Sequence, residues 1–181
     1  MSTLTAYQKK LVKDLQRLYD LLSLDFYDIK AYPKERRTVY LELMKRAAVR
    51  QKVVTAYTQI DEYLASELCV YFFGTKRSFP ALWKTKRFQL FNSCFLEEMS
   101  LMPKFRYVKA LRKIPKTIAA EIDRLNALRN AVAHSFFPEN VKKSRALWKG
   151  QSIFSFEGIE RFSQDMLALN QFFGMMRKNR Y

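Results

Sequence analysis

The chain has 181 residues, 49% of them hydrophobic, enough to bury the core of one domain and too apolar for a disordered segment. Lysine and arginine number 33 against 17 acids, a net charge of +16 that repels itself and attracts polyanions such as RNA, DNA or an anionic surface. Four glycines and five prolines are too little punctuation for an all-β fold, and the two cysteines, Cys69 and Cys94, lack the spacing of a zinc site or a disulfide framework. The expectation is an all-α fold with reduced thiols and neither metal nor cofactor. The start, Met1-Ser2-Thr3-Leu4-Thr5, has no signal-peptide pattern, and no apolar run reaches the roughly 18 residues of a membrane span. A cytoplasmic location with no membrane contact follows as an expectation.

In chain order, Thr3 or Thr5 can cap a first helix. Leu4, Leu11, Leu15, Leu18 and Leu22 form its stripe, and Pro33 marks a boundary. A second helical region spans Lys34–Phe73, with a break allowed near Arg50. In its later part Val53, Tyr57, Ile60, Leu64, Leu68 and Tyr71 keep helical spacing, and Gly74 supplies a stop. Asp61 and Glu62 lie in this helix as candidates to support an active-site base. Over 74–87 the chain is basic, with Phe79 and Trp83 interleaved, which suits either an RNA surface or aromatics inside and cations outside. Helices are predicted over 85–100 and 103–114. The latter carries Lys104, Arg106, Lys109, Arg112 and Lys113 without an acid, the densest positive stretch and the preferred RNA contact.

Pro115 opens the next predicted helix, where Ile118, Ile122, Leu125, Leu128, Val132 and Phe136 make a continuous apolar stripe ended by Pro138. Residues 139–150 read as a basic loop, and its Lys142, Lys143 and Arg145 join the candidate RNA contacts. Residues 151–154 read as a short extended piece and 156–177 as a last helix, with Ile159, Phe162, Met166, Leu169 and Phe173 inward. No internal repeat is visible.

The central helix leads into Leu128-Arg129-Asn130-Ala131-Val132-Ala133-His134-Ser135, which holds the chain's single histidine. Histidine ionises nearest neutrality, and arginine offers a forked donor that matches phosphate oxygens. Asn130 and His134 are one helical turn apart, but Arg129 and His134 lie about 140° apart around a regular helix. Both reach one phosphate only if the helix ends or bends near His134, or if two subunits share a groove. Metal-free RNA cleavage needs a base for the 2′-hydroxyl and an acid for the leaving 5′-oxygen. One imidazole serves one of these roles at a time, so two copies of the helix in a symmetric dimer would supply both.

Arg129, Asn130 and His134, on an apolar helix, resemble the R-x(4–6)-H signature of the HEPN superfamily, in which a polar residue often follows the Arg. The run from Pro115 through Ser135 resembles the helix that carries it, and Ile60-Asp61-Glu62-Tyr63-Leu64 is similar to an earlier core helix of that family. The resemblance covers residues 50–175, leaving 1–49 as an N-terminal helical extension within a single domain. It implies a compact antiparallel helical bundle, usually dimeric, and a metal-independent endoribonuclease of a toxin–antitoxin or defence system, held in check by an antitoxin or other regulatory protein. It also implies an alternative, since some members are non-catalytic nucleic-acid- or protein-binding modules.

Overall fold

In a computed structural model of the chain, residues 34–74, 79–133 and 146–178 are described, with side chains over 46–74, 81–132 and 146–176. The expected first helix, its leucine stripe and Pro33 lie outside the described residues. The chain divides into two units, Met1–Glu42 and Leu43–Tyr181, and the packed core described below lies within the second.

Helix α1 (Lys34–Phe73) passes Arg50 without a break. Val49, Val53, Ala56, Ile60, Leu64 and Leu68 recur at three- and four-residue steps and are buried, as one face of a helix against a core must be. Tyr71 departs from the expected inward stripe: it is 57% exposed. Gly74 ends the helix in the left-handed conformation (φ 73°), and its amide donates to the Val70 carbonyl at 2.8 Å.

A short helix α2 (Phe79–Trp83) precedes Thr85, whose hydroxyl accepts from the Phe88 amide (3.4 Å) and so caps α3 (Lys86–Phe91). Where sequence spacing predicts one helix over 85–100, α3 instead widens into a π-helical turn at Asn92–Leu96. The wider turn leaves both Phe91 and Phe95 in ring contact with Phe72 (5.2 and 6.3 Å).

Helix α4 (Leu101–Leu111) begins two residues before Pro103, which sits in the first turn where a missing N–H costs nothing. The Pro115 carbonyl accepts from the Ala119 amide at 3.0 Å, opening α5 (Lys116–Ala133). Ala119, Ile122, Leu125, Leu128 and Val132 of α5 are buried. The expected continuation through Phe136 to Pro138 lies outside the described residues.

The extended piece expected near 151 is one arm of a hairpin. Strand β1 (Leu147–Trp148) pairs antiparallel with β2 (Gln151–Ser152). Lys149 and Gly150 between them both have positive φ (48° and 86°), the conformation that closes a two-residue hairpin with the twist of its strands. Helix α6 (Phe156–Lys178) follows, with the Ser155 hydroxyl accepting from the Gly158 amide (3.1 Å). A side chain at Gly158 has no room, because a Cβ there would stand 1.9 Å from the Ser152 carbonyl oxygen. Phe162, Met166, Leu169 and Phe173 are buried as expected.

The described residues are mostly helical, and one apolar cluster joins α1, α4, α5 and α6, with Trp148 and Ile153 of the hairpin region also fully buried. The hairpin is fastened by charge. Lys149 Nζ lies 2.7 Å from Glu121 Oε1 of α5 and 2.8 Å from Asp165 Oδ2 of α6, and Trp148 Nε1 donates to the same Asp165 oxygen at 2.7 Å. Among the described residues no helix is long and apolar enough to cross a membrane.

Candidate functional site

Arg129 and Asn130 lie in the last turn of α5. At about 100° per residue, Arg129 falls within roughly 20° of buried Ile122 and 40° of buried Leu125, inside the apolar arc and not on the opposite face. A guanidinium so placed must find partners among core residues, and those it finds carry no formal charge. Its Cζ stands 5.1 Å from the centroid of the Tyr57 ring of α1, and Nη1 donates to Asn130 Oδ1 at 3.2 Å. Its Nε is buried, with no acceptor among the described residues. No carboxylate there forms an ion pair with it. The result is a cation held in place by a ring face and an amide, with donor capacity left over. That is what an anion-binding arginine requires.

Tyr57 also reaches the start of α4: its hydroxyl accepts from the Leu101 amide at 3.4 Å. One turn along α1, Asp61 Oδ2 takes Lys104 Nζ of α4 at 2.6 Å. Lys104 is 6% exposed, so this lysine is a buried partner of Asp61 and not one of the solvent-facing cations expected of α4. The reason lies in its position between Leu101, Phe105 and Val108 on the buried side of that helix. Asp61 Oδ1 is buried without a partner among the described residues, and no ion pair joins Asp61 to Arg129. Glu62, next to it, faces solvent.

The other candidates of this stretch divide, with Arg112 and Lys113 just past the end of α4. Arg106, Lys109 and Lys113 are exposed, and among the described residues no acid pairs with them. Arg112 is exposed too, but its Nε comes within 3.9 Å of Glu67 Oε2, a carboxylate only 4% exposed. His134, Lys142, Lys143 and Arg145 lie outside the described residues. The described residues hold no group of three or more His, Cys, Asp or Glu side chains able to bind a metal ion.

No protein-family model, curated protein or solved structure matches this chain.

Sequence reasoning missed Tyr57 as part of this arrangement. It read Tyr57 as one more residue of the α1 stripe, and nothing in the local spacing says that its ring faces an arginine 72 positions later. For Arg129 and Lys104 a signal did exist. Both stand at three- and four-residue steps from core leucines, isoleucine or valine, which places each on the apolar arc of its own helix.

Proposed function

We propose that this chain is a metal-independent endoribonuclease of the HEPN type, acting as a homodimer. Arg129 grips the scissile phosphate, Asn130 orients the phosphate or the imidazole, and His134 carries the proton. The RNA 2′-oxygen attacks the adjacent phosphorus as a base removes its proton, and the bond to the 5′-oxygen breaks as an acid protonates that oxygen. The products are a 2′,3′-cyclic phosphate and a 5′-hydroxyl. Two copies of the motif supply the base and the acid, and the arginines stabilise the charge that builds on the phosphoryl oxygens. Such an activity is toxic to the cell that makes it, which calls for an antitoxin or other controlling protein. The observation that carries this reading is the Arg129 guanidinium, set in the apolar arc of α5 against Tyr57 and Asn130, with no carboxylate among the described residues to occupy it.

A second reading, a non-catalytic nucleic-acid-binding module, is favoured by the exposed and unpaired cations of α4, which serve binding whether or not chemistry follows. One experiment separates the two. Labelled RNA is incubated in EDTA with wild type, Arg129→Ala and His134→Ala, and product ends are analysed. The proposal expects cyclic phosphate ends from wild type, a loss of about 100-fold or more in Arg129→Ala, and a comparable or larger loss in His134→Ala. Equal cutting by wild type and His134→Ala overturns it. Binding without cutting by wild type selects the second reading.

A further inference from the structure

Away from Arg129, a run of aromatic rings that passes through the core at Phe88 ends in exposed rings that neither the core nor the proposed chemistry accounts for. Its rings follow one another without a gap. Trp83 meets Phe88 (centroids 5.3 Å apart), Phe88 meets Phe73 (5.2 Å), and Phe73 meets Phe91 (5.2 Å). Phe91 then meets Phe95 (5.1 Å), and Phe95 meets Tyr107 (5.7 Å). The chain thus runs from α2 across α3, the end of α1 and the π-helical turn to α4. It surfaces at both ends and in the middle: Trp83 is 48% exposed, Tyr107 50%, and Phe72, which packs on Phe91, 46%.

Exposed rings joined through a partly exposed one, as Phe72 and Tyr107 are through Phe95, form the kind of patch that marks a contact surface. The charge around them selects the partner. Lys84, Lys86 and Arg87 flank the Trp83 end and are exposed, Arg87 placing its guanidinium 5.5 Å from the Phe73 centroid. Arg106 precedes Tyr107 and is exposed. Among the described residues no acid pairs with any of these four. Between 74 and 113 the sequence has ten lysines and arginines against two acids, Glu97 and Glu98, and the Asn92 amide donates to Glu97 Oε1 at 2.6 Å. A protein–protein interface depletes lysine from its centre, whereas Lys84 and Lys86 stand beside Trp83 here. Here Lys84, Lys86 and Arg87 stand by the Trp83 end, with Arg87 over Phe73, and Arg106 is the neighbour of Tyr107 in sequence, a combination that suits a strand of unpaired bases: phosphates on the cations, bases on the ring faces.

We infer that the surface from Trp83 to Tyr107 is a single-stranded nucleic-acid platform, with Trp83, Phe72 and Tyr107 as stacking positions and Lys84, Lys86, Arg87 and Arg106 on the backbone. It extends the proposed function by naming the class of substrate, unpaired and not duplex, and it rests on nucleic-acid handling but not on cleavage.

The test keeps the two apart by using a labelled single-stranded DNA 15-mer, which lacks the 2′-hydroxyl and cannot be cut by that route. Fluorescence anisotropy compares it with a duplex of equal length, for wild type, Tyr107→Ala, Tyr107→Phe, Phe72→Ala and Arg87→Gln. Expected are tighter binding of the single strand and a weakening of about tenfold in Tyr107→Ala and Phe72→Ala with an unchanged salt slope. Tyr107→Phe should bind as wild type does, and Arg87→Gln should lower the salt slope by about one. Because Trp148 is fully buried and Trp83 is not, quenching of tryptophan emission on binding should disappear in Trp83→Leu. Equal affinity for duplex, or wild-type binding by both alanine variants, overturns the inference. So does loss of dimerisation in Tyr107→Ala with DNA binding intact, which would give the surface to a second copy of the chain.

Discussion

Two lysines show how burial decides what a charged residue is for. Lys104 and Lys109 stand five positions apart on α4, yet Lys109 faces solvent while the Lys104 ammonium is shut in with Asp61 at 2.6 Å. Removing one member of such a pair strands the other charge away from water. Lys104→Met should therefore destabilise the fold by about 3 kcal/mol, while Asp61→Leu added to it should restore much of the loss. Urea unfolding of the two single variants and the double variant measures this, and a free energy that only worsens in the double variant contradicts it. The two cysteines differ for the same reason. Cys69 is buried, and desolvation, only partly offset by a backbone hydrogen bond, pushes its thiol up to about 11. Cys94 is exposed. At pH 8 a thiol reagent should modify Cys94 alone in the native protein, and Cys69 only after denaturation. Simultaneous release of both would contradict the placement of Cys69.

Among elements, the hairpin is the one whose fastening responds to pH. Burial alone would lower Lys149, but its hydrogen bonds to Asp165 and Glu121 and their charges leave it raised above the usual 10.5. Burial alone would raise Asp165, but the hydrogen bonds from Lys149 and Trp148 and the nearby cations leave it below the usual 3.8. A carboxylate depressed on folding stabilises above its unfolded pKa, and that contribution fades as pH falls through the folded value. Asp165→Asn should thus cost stability roughly evenly from about pH 5 to 9, with the difference from wild type shrinking below about pH 4. Thermal melts across that range read it, and a gap that widens in acid would refute the sign. None of this is legible in sequence, because Glu121, Lys149 and Asp165 sit on three elements. What sequence does show is local: Gly74 after an apolar stripe, a helix start near Thr85, and Pro115 at another. Each acts through its own backbone. The π-helical turn at Asn92–Leu96 was invisible because ring contacts with Phe72 on another helix accompany it.

At the scale of the whole molecule, the all-α expectation from composition agrees with a mostly helical structure, while the placement of His134 lies beyond the described residues. The net charge of +16 has a consequence that belongs to no single residue. Under the proposed function, association with RNA releases counterions in proportion to the phosphates neutralised, so affinity should fall steeply with salt. With several of the exposed lysines and arginines engaged, the apparent Kd should rise by about two orders of magnitude or more between 50 and 200 mM salt. A flat dependence, read in a titration of His134→Ala with RNA, would show that the charge is not at the interface.

The close approach of Gly158 to Ser152 sets a limit on how this sequence can drift. The obstacle to a Cβ at 158 is a backbone carbonyl, which no compensating side-chain change elsewhere can shrink. Gly174, on the same helix, has open space where its side chain would be. Of two glycines in one helix, one is interchangeable and the other is irreplaceable. A mutation at 158 displaces the strand whose partner carries Trp148, so the least conspicuous residue of α6 governs whether the hairpin can dock at all.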